Sequence, residues 1–185
     1  MMSITMRVIV VLVCLASLPM LGAQDKAAPK FAYPIIQGYG GVVPVPDAVE
    51  PPVKGSKVVF DVTAIAKEPG KPVPGLERVA VLLNLAGLNG LKANDLEIVV
   101  VMHGEVTYSA LTNEAYQSNR KQPHASSELI DRLAAAGVKF VVCGQSMAKK
   151  GLDAKDVRKE VRVAQSALTA TINAQAKGFA YIPAH

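Results

Sequence analysis

The sequence predicts one α/β domain in which helices cover both faces of a mainly parallel sheet. Short valine-rich runs, such as residues 57–62 and 96–102, are apolar almost throughout, as expected for strands buried on both faces. Segments with apolar residues at three- and four-residue spacing separate these runs. The 185-residue chain is long enough for such a domain and an additional segment. The resulting order, βαβαβ(α)βαβ, is typical of a doubly wound sheet.

The first 23 residues have the features of a secretory signal peptide. Arg7 supplies a positive charge, residues 8–16 form an apolar run, and Leu21-Gly22-Ala23 precede the expected cleavage site. The apolar run is shorter than the ~20 residues that a membrane span needs, which favours a cleaved signal over the alternative, an uncleaved anchor. We therefore expect a periplasmic protein whose mature chain begins near Gln24 and has no stable membrane anchor.

Residues 24–56 differ in composition from the remainder of the mature chain and are interpreted as a Pro/Gly-rich N-terminal arm. This segment contains six prolines and shows no helical periodicity. It also contains Phe31, Tyr33, Ile36 and Tyr39, which make it too apolar for a free tail. Part of the arm is expected to pack against the domain or against a neighbouring subunit.

The domain itself is expected to occupy residues 57–185. Within it, apolar runs predict strands. Apolar residues at helical spacing predict a helix from Leu76 to Gly87 or Gly90. A short helix and a longer, more regular helix are predicted after it. The strands are expected at 57–62, 96–102, 138–142 and 179–182, and the later helices at 113–116 and 125–136.

Residues 153–177 are ambiguous from propensity and pattern. They could form one long helix. Alternatively, Val161-Arg162-Val163 alternates as a short strand does, and Ser166 could cap a separate helix that runs to Gly178.

Two predicted strands each lead into a reactive side chain at their carboxyl end. In open parallel sheets, binding and catalytic sites lie at the carboxyl ends of the strands. The second strand leads into His103-Gly104, and the third leads into Cys143-Gly144. Cys143 is followed by Gln145, Ser146 and a short helix-forming run, so its sulfur is expected at a helix N-terminus that stabilises the thiolate. If the two strands are neighbours, His103 could orient or deprotonate the thiol. The structural alternatives are a buried, inert cysteine and a hydrogen-bonded histidine.

Other classes of site find little support in the sequence. The net charge of +5 comes from scattered lysines, which indicates a solvated basic surface and no nucleic-acid partner. His103, His124, His185 and Cys143 have no metal-ligand spacing, and no phosphate loop or dinucleotide fingerprint is present. Neither a metal nor a cofactor is therefore expected.

Three motifs in this chain resemble the DsrE-like family, the small sulfur-relay proteins of bacterial sulfur metabolism. They are Val-Val-Met-His-Gly at 100–104, Val-Cys-Gly-Gln-Ser-Met-Ala-Lys-Lys-Gly-Leu at 142–152, and Ala-Lys-Gly-Phe-Ala-Tyr-Ile-Pro at 176–183. The resemblance covers residues 57–183. The Gly- and Pro-containing stretch at 38–48 before Lys-Val-Val-Phe-Asp-Val-Thr is similar to the exported, periplasmic branch of the family.

The resemblance implies a flavodoxin-like three-layer sandwich with about five strands, and a homo-oligomer, commonly a trimer or a hexamer. It also implies that 161–163 is a strand and that Cys143 holds sulfane sulfur as a persulfide. The expected function is a periplasmic sulfur carrier and possible sulfurtransferase with unidentified donor and acceptor proteins. Cys143 and His103 would carry the chemistry, and Gly104, Gly144, Gln145 and Ser146 would bind the substrate. The alternative is a non-catalytic small-ligand-binding or oligomeric adaptor protein.

Overall fold

A computed structural model describes residues 29–184 and shows a five-stranded sheet. Every pair of neighbouring strands is parallel, and the spatial order is β4-β3-β2-β1-β5. The strands are β1 (Lys57–Val62), β2 (Glu97–Met102), β3 (Lys139–Cys143), β4 (Val161–Ala164) and β5 (Ala180–Ala184). The α-helices are α1 (Pro74–Leu88), α2 (Asn113–Arg120), α3 (Ser127–Ala135), α4 (Gly144–Lys150) and α5 (Ala167–Ala176). The predicted α/β class with a parallel sheet is confirmed.

Successive strand residues point to opposite sides of the sheet, so apolar strands have two faces to bury. Helices cover both of these faces. On one face, Phe60, Val100 and Phe140 belong to the larger core, to which α1 and α3 contribute their apolar residues. On the other face, Val59 and Val101 pack with Ala167 and Ala174 of α5, among others. This three-layer arrangement agrees with the flavodoxin-like sandwich that the sequence led us to expect.

The ambiguous segment at 153–177 does not form one helix. Val161–Ala164 pairs with β3 as the edge strand β4, and Val161 is buried in the larger core. Ser166 then caps α5, since its Oγ accepts a hydrogen bond from the backbone N–H of Thr169 at 3.1 Å. Pairing along β3 and a good cap together outweigh the helical propensity of the segment.

The described part of the arm packs on α1, in agreement with its apolar composition. Ile36 is 2% exposed and joins the larger core. The fully buried Asn84 of α1 accepts hydrogen bonds through Oδ1 from the backbone N–H groups of Ile35 and Ile36, at 3.0 and 2.8 Å. Its Nδ2 donates to the carbonyl oxygens of Tyr39 and Gly40, both at 2.9 Å. One buried amide thus binds both sides of the turn at 35–40.

The predicted signal peptide at 1–23 lies outside the described residues. Within residues 29–184, the helices are too short or too polar to cross a lipid bilayer.

Candidate active site

An open cleft of about 660 Å³ contains Cys143 and His103. It lies on the face of the sheet that α5 covers, beside the carboxyl ends of β2 and β3. Gln145 and Ser146 of α4 form part of its wall, and residues of α5 form another part. A volume of this size is in the ordinary range for small-molecule sites.

Cys143 ends β3 and is also the N-cap residue of α4. The thiol is mostly enclosed, with 5% of the residue exposed, and its Sγ accepts the backbone N–H of Ser146 at 3.4 Å. Burial raises the pKa of the Cys143 thiol, but hydrogen bonds from the Ser146 side chain and from the backbone of Ala167, Ser146 and Gln145 outweigh it. The net pKa lies below the ordinary value for cysteine. Cys143 is therefore predisposed to ionise to the nucleophilic thiolate.

His103 directly follows β2, and the strand register places it beside Cys143. Met102 pairs with Val142 in the parallel ladder, so the next residue of each strand lies at the same level. Both side chains line the cleft. The sheet thus brings together the two residues that the sequence singled out, which are 40 positions apart in the chain.

His103 is held by a carboxylate that the sequence patterns did not single out. Its Nε2 lies 2.7 Å from Oδ1 of Asp61, near the end of β1. The second carboxylate oxygen, Oδ2, accepts a hydrogen bond from the Tyr181 hydroxyl of β5 at 2.7 Å. Asp61 and Tyr181 both line the same cleft. The hydrogen-bonded chain His103–Asp61–Tyr181 consequently crosses β2, β1 and β5.

Sequence signals for these two residues were present but weak. Asp61 interrupts the apolar run Lys-Val-Val-Phe-Asp-Val. A carboxylate within a buried parallel strand needs a hydrogen-bonding or charged partner, because an unpaired buried charge is unfavourable. Tyr181 stands on the last strand, 120 positions from Asp61, so their contact could not be inferred from local spacing.

The predicted substrate-binding residues divide into two groups. Gln145 and Ser146 line the cleft, whereas Gly104 and Gly144 are absent from its described walls. The structure shows a backbone role for each glycine. Gly104 has a φ of +60°, and a Cβ at Gly144 would come within 2.8 Å of the Ala164 carbonyl oxygen. A side chain at Gly144 would therefore push α4 away from β4.

The rest of the cleft combines one cation with an apolar rim. Lys149 of α4 lies in its wall and adds a positive charge to the cleft. Leu168 and Ile172 of α5 also line it, yet they are 71% and 54% exposed. Exposed apolar side chains beside a site are typical of contact surfaces. The predicted homo-oligomer stays a prediction.

Among residues 29–184, no three side chains of the His, Cys, Asp and Glu types are grouped closely enough to hold a metal ion. The described cleft offers a thiol, an imidazole, a carboxylate, a phenol and the ammonium group of Lys149.

The fold of one of the solved structures described below agrees with this architecture. No curated protein matches the chain. Among solved structures, the YchN protein of E. coli has a TM-score of 0.50 at 13% identity, and the match covers 69% of this chain and 98% of that one. MTH1491, a protein of unknown function from Methanobacterium thermoautotrophicum, has a TM-score of 0.47 at 22% identity, with the same two coverages. At such identities the likeness to YchN concerns the fold alone.

The assignment to a family rests on the match of the sequence to a family model. The model of the DsrE/DsrF-like family matches residues 62–184, which include β2 to β5, His103 and Cys143. The chain therefore belongs to the DsrE/DsrF-like family.

Proposed function

We propose that this protein is an exported sulfur carrier that holds sulfane sulfur as a persulfide on Cys143. The observation that carries the proposal is the placement of the thiol. Sγ lies in a cleft, receives backbone N–H donors, and has a pKa below the ordinary value for cysteine. After loading, the negative charge of the persulfide would lie mainly on the outer sulfur, which would extend from Sγ into the cleft.

The transfer step needs no external oxidant. The Cys143 thiolate attacks the outer sulfur of a donor persulfide, R–S–SH. A new S–S bond forms on Cys143, the S–S bond of the donor breaks, and R–S⁻ leaves with the electron pair. The reverse step, with an acceptor thiolate as the attacking group, passes the sulfur on.

A single cysteine suits this role. Cys143 is the one cysteine among the described residues, and it is free. A second thiol nearby would attack the persulfide and release its outer sulfur as sulfide, leaving a disulfide. An isolated thiol in this cleft keeps the sulfur until an acceptor arrives.

Incubation of the purified protein with inorganic polysulfide tests the proposal directly. We expect intact-mass measurement to show added sulfur, with the first atom on Cys143, and we expect a reductant to remove it. The Cys143→Ser variant, which keeps a small polar side chain at the site, should gain none. If the folded wild-type protein takes up no sulfur and Cys143 resists alkylation, the proposed sulfur-carrier function is wrong. A ligand-binding or adaptor role would then be favoured.

Export of the carrier is a separate part of the proposal. It is supported by the charged and apolar pattern of the first 23 residues. When the full chain is expressed in a bacterium, we expect a periplasmic product whose mass corresponds to a start at or near Gln24. Recovery of the uncleaved chain with the membranes would indicate an anchor instead.

A further inference from the structure

The hydrogen-bonded chain of His103, Asp61 and Tyr181 can determine which ring nitrogen of His103 carries the proton. In a neutral imidazole, one nitrogen carries the proton and the other carries a lone pair. A carboxylate oxygen 2.7 Å from Nε2 accepts a hydrogen bond and so favours the proton on that nitrogen. The lone pair then resides on Nδ1, which becomes the basic nitrogen of the ring.

Asp61 is itself held in a defined orientation. The Tyr181 hydroxyl donates to Oδ2 at 2.7 Å, so both oxygens of the carboxylate are engaged. This hydrogen bond to Asp61, with some burial, raises the pKa of Tyr181 above its usual value. The phenol therefore stays protonated and acts as a donor at neutral pH. Asp61 is largely enclosed, with 15% of its side chain exposed, so bulk water has limited access to compete for its oxygens.

We propose that Asp61 and Tyr181 are positioning residues for His103, which moves the proton during sulfur transfer at Cys143. This inference rests on the proposed function and names the residues that act behind the thiol. Asp61 fixes the proton of His103 on Nε2, and Tyr181 fixes the Asp61 carboxylate. His103 itself shares the cleft and the strand level of Cys143.

With these roles the sulfur transfer balances in protons as well as in electrons. Nδ1 of His103 takes the proton of the Cys143 thiol through one bridging water, since no direct hydrogen bond joins the two side chains in the described part of the chain. The thiolate then attacks the outer sulfur of the donor persulfide. The departing R–S⁻ then takes the proton from the His103 imidazolium. The net change is Cys143–SH and R–S–SH to Cys143–S–SH and R–SH, with His103 restored.

A purely structural bridge between β2, β1 and β5 would use the same contacts, so the test must separate structure from chemistry. The Asp61→Asn variant keeps the shape of the side chain and removes its charge. Tyr181→Phe removes one hydroxyl. Tyr108→Phe serves as the matched control, since Tyr108 lies outside the described walls of the cleft. Far-UV circular dichroism and thermal melting establish that each full-length variant is folded.

The first measurement is the tautomer of His103. Nitrogen-15 chemical shifts of the histidine rings report which nitrogen is protonated, and a His103→Ala sample identifies the His103 signals. We expect Nε2–H in the wild type and in Tyr108→Phe, and a loss of that preference in Asp61→Asn, whose amide can present either its oxygen or its NH₂ group.

The second measurement is the rate at which inorganic polysulfide loads Cys143 near neutral pH. A positioned general acid or base contributes about 10²–10⁴-fold to a rate. Asp61→Asn misplaces the proton of His103 without removing the ring, so we expect this variant to load at least about tenfold more slowly. Tyr181→Phe should be slower by about threefold, and Tyr108→Phe should match the wild type.

The outcomes distinguish this inference from the proposed function. If the wild type loads and a folded Asp61→Asn keeps either the wild-type tautomer or the wild-type rate, the positioning role is wrong and the carrier stands. If the wild type takes up no sulfur, the carrier itself fails. Should Asp61→Asn not fold, Tyr181→Phe decides: loading at the wild-type rate would overturn the role of the hydrogen-bonded chain.

Discussion

An Asn84→Asp variant should lose about 3 kcal/mol of its free energy of unfolding near neutral pH. The substitution keeps the shape of the side chain and the acceptor for the N–H groups of Ile35 and Ile36. It replaces the Nδ2 donor by an oxygen that faces the carbonyl oxygens of Tyr39 and Gly40, each 2.9 Å away. A fully buried carboxylate in this position is both repelled and poorly solvated.

Urea denaturation at equilibrium measures this loss, and limited proteolysis shows whether the arm has been released from α1. Asn89→Asp is the matched control, because Asn89 is exposed at the end of the same helix and hydrogen-bonds the Leu85 carbonyl. We expect the control to lower the unfolding free energy by less than about 1 kcal/mol, because its carboxylate is exposed although it stands at the end of the helix. If Asn84→Asp behaves like the control, the arm is not held by the buried amide.

The fold could be predicted because its strands carry a local signal. β1 and β2 are buried on both faces, which requires the continuous valine runs that the sequence shows. Asn84 gave no such signal. It follows Leu83 in α1, where a polar residue beside an apolar one is usually solvent-facing, and its partners lie 44 to 49 positions earlier. Only the packed arm shows that this asparagine points inwards.

The candidate site likewise contains residues that could be predicted from the sequence and residues that could not. Cys143 and His103 could be selected because each follows an apolar strand, and the ends of parallel strands meet at one edge of the sheet. Asp61 could not be joined to His103 without the strand order, which makes β1 and β2 neighbours and also places β5 beside β1. No carboxylate lies close to Cys143 along the chain, yet in three dimensions Asp61 shares its cleft.

His124 provides the second large effect, a loss of stability in mild acid. Its Nε2 lies 3.1 Å from the Ser109 carbonyl oxygen and must donate a proton to it, so Nδ1 is the unprotonated nitrogen. Nδ1 is buried and has no hydrogen-bond partner among the described residues. The ring stacks on Tyr116 with 4.1 Å between centroids. Burial, with a smaller effect from the Arg158 charge, lowers the pKa of His124 to about 4.

The direction of the effect follows from proton binding. As the pH falls below the usual histidine pKa of about 6.5, the unfolded chain binds a proton at His124 that the folded chain does not accept until the pH nears 4. The free energy of unfolding therefore falls with decreasing pH across this window, by up to about 1.4 kcal/mol per pH unit from this residue. Because solvent still reaches part of the ring, we expect a total on the order of 2–3 kcal/mol.

Urea denaturation at a series of pH values between about 7 and 4.5 measures this slope. The comparison is with His124→Asn, whose smaller neutral amide does not titrate. The difference between the two proteins isolates His124 from His103 and His185. Carboxylates whose pKa is lowered by partners, such as Glu105 beside Lys150 and Glu128 beside Arg132, lose their stabilising effect mainly below this window. We expect the wild-type slope to exceed that of His124→Asn between about pH 6.5 and 4.5, and equal slopes would show that the folded protein accommodates the charged ring.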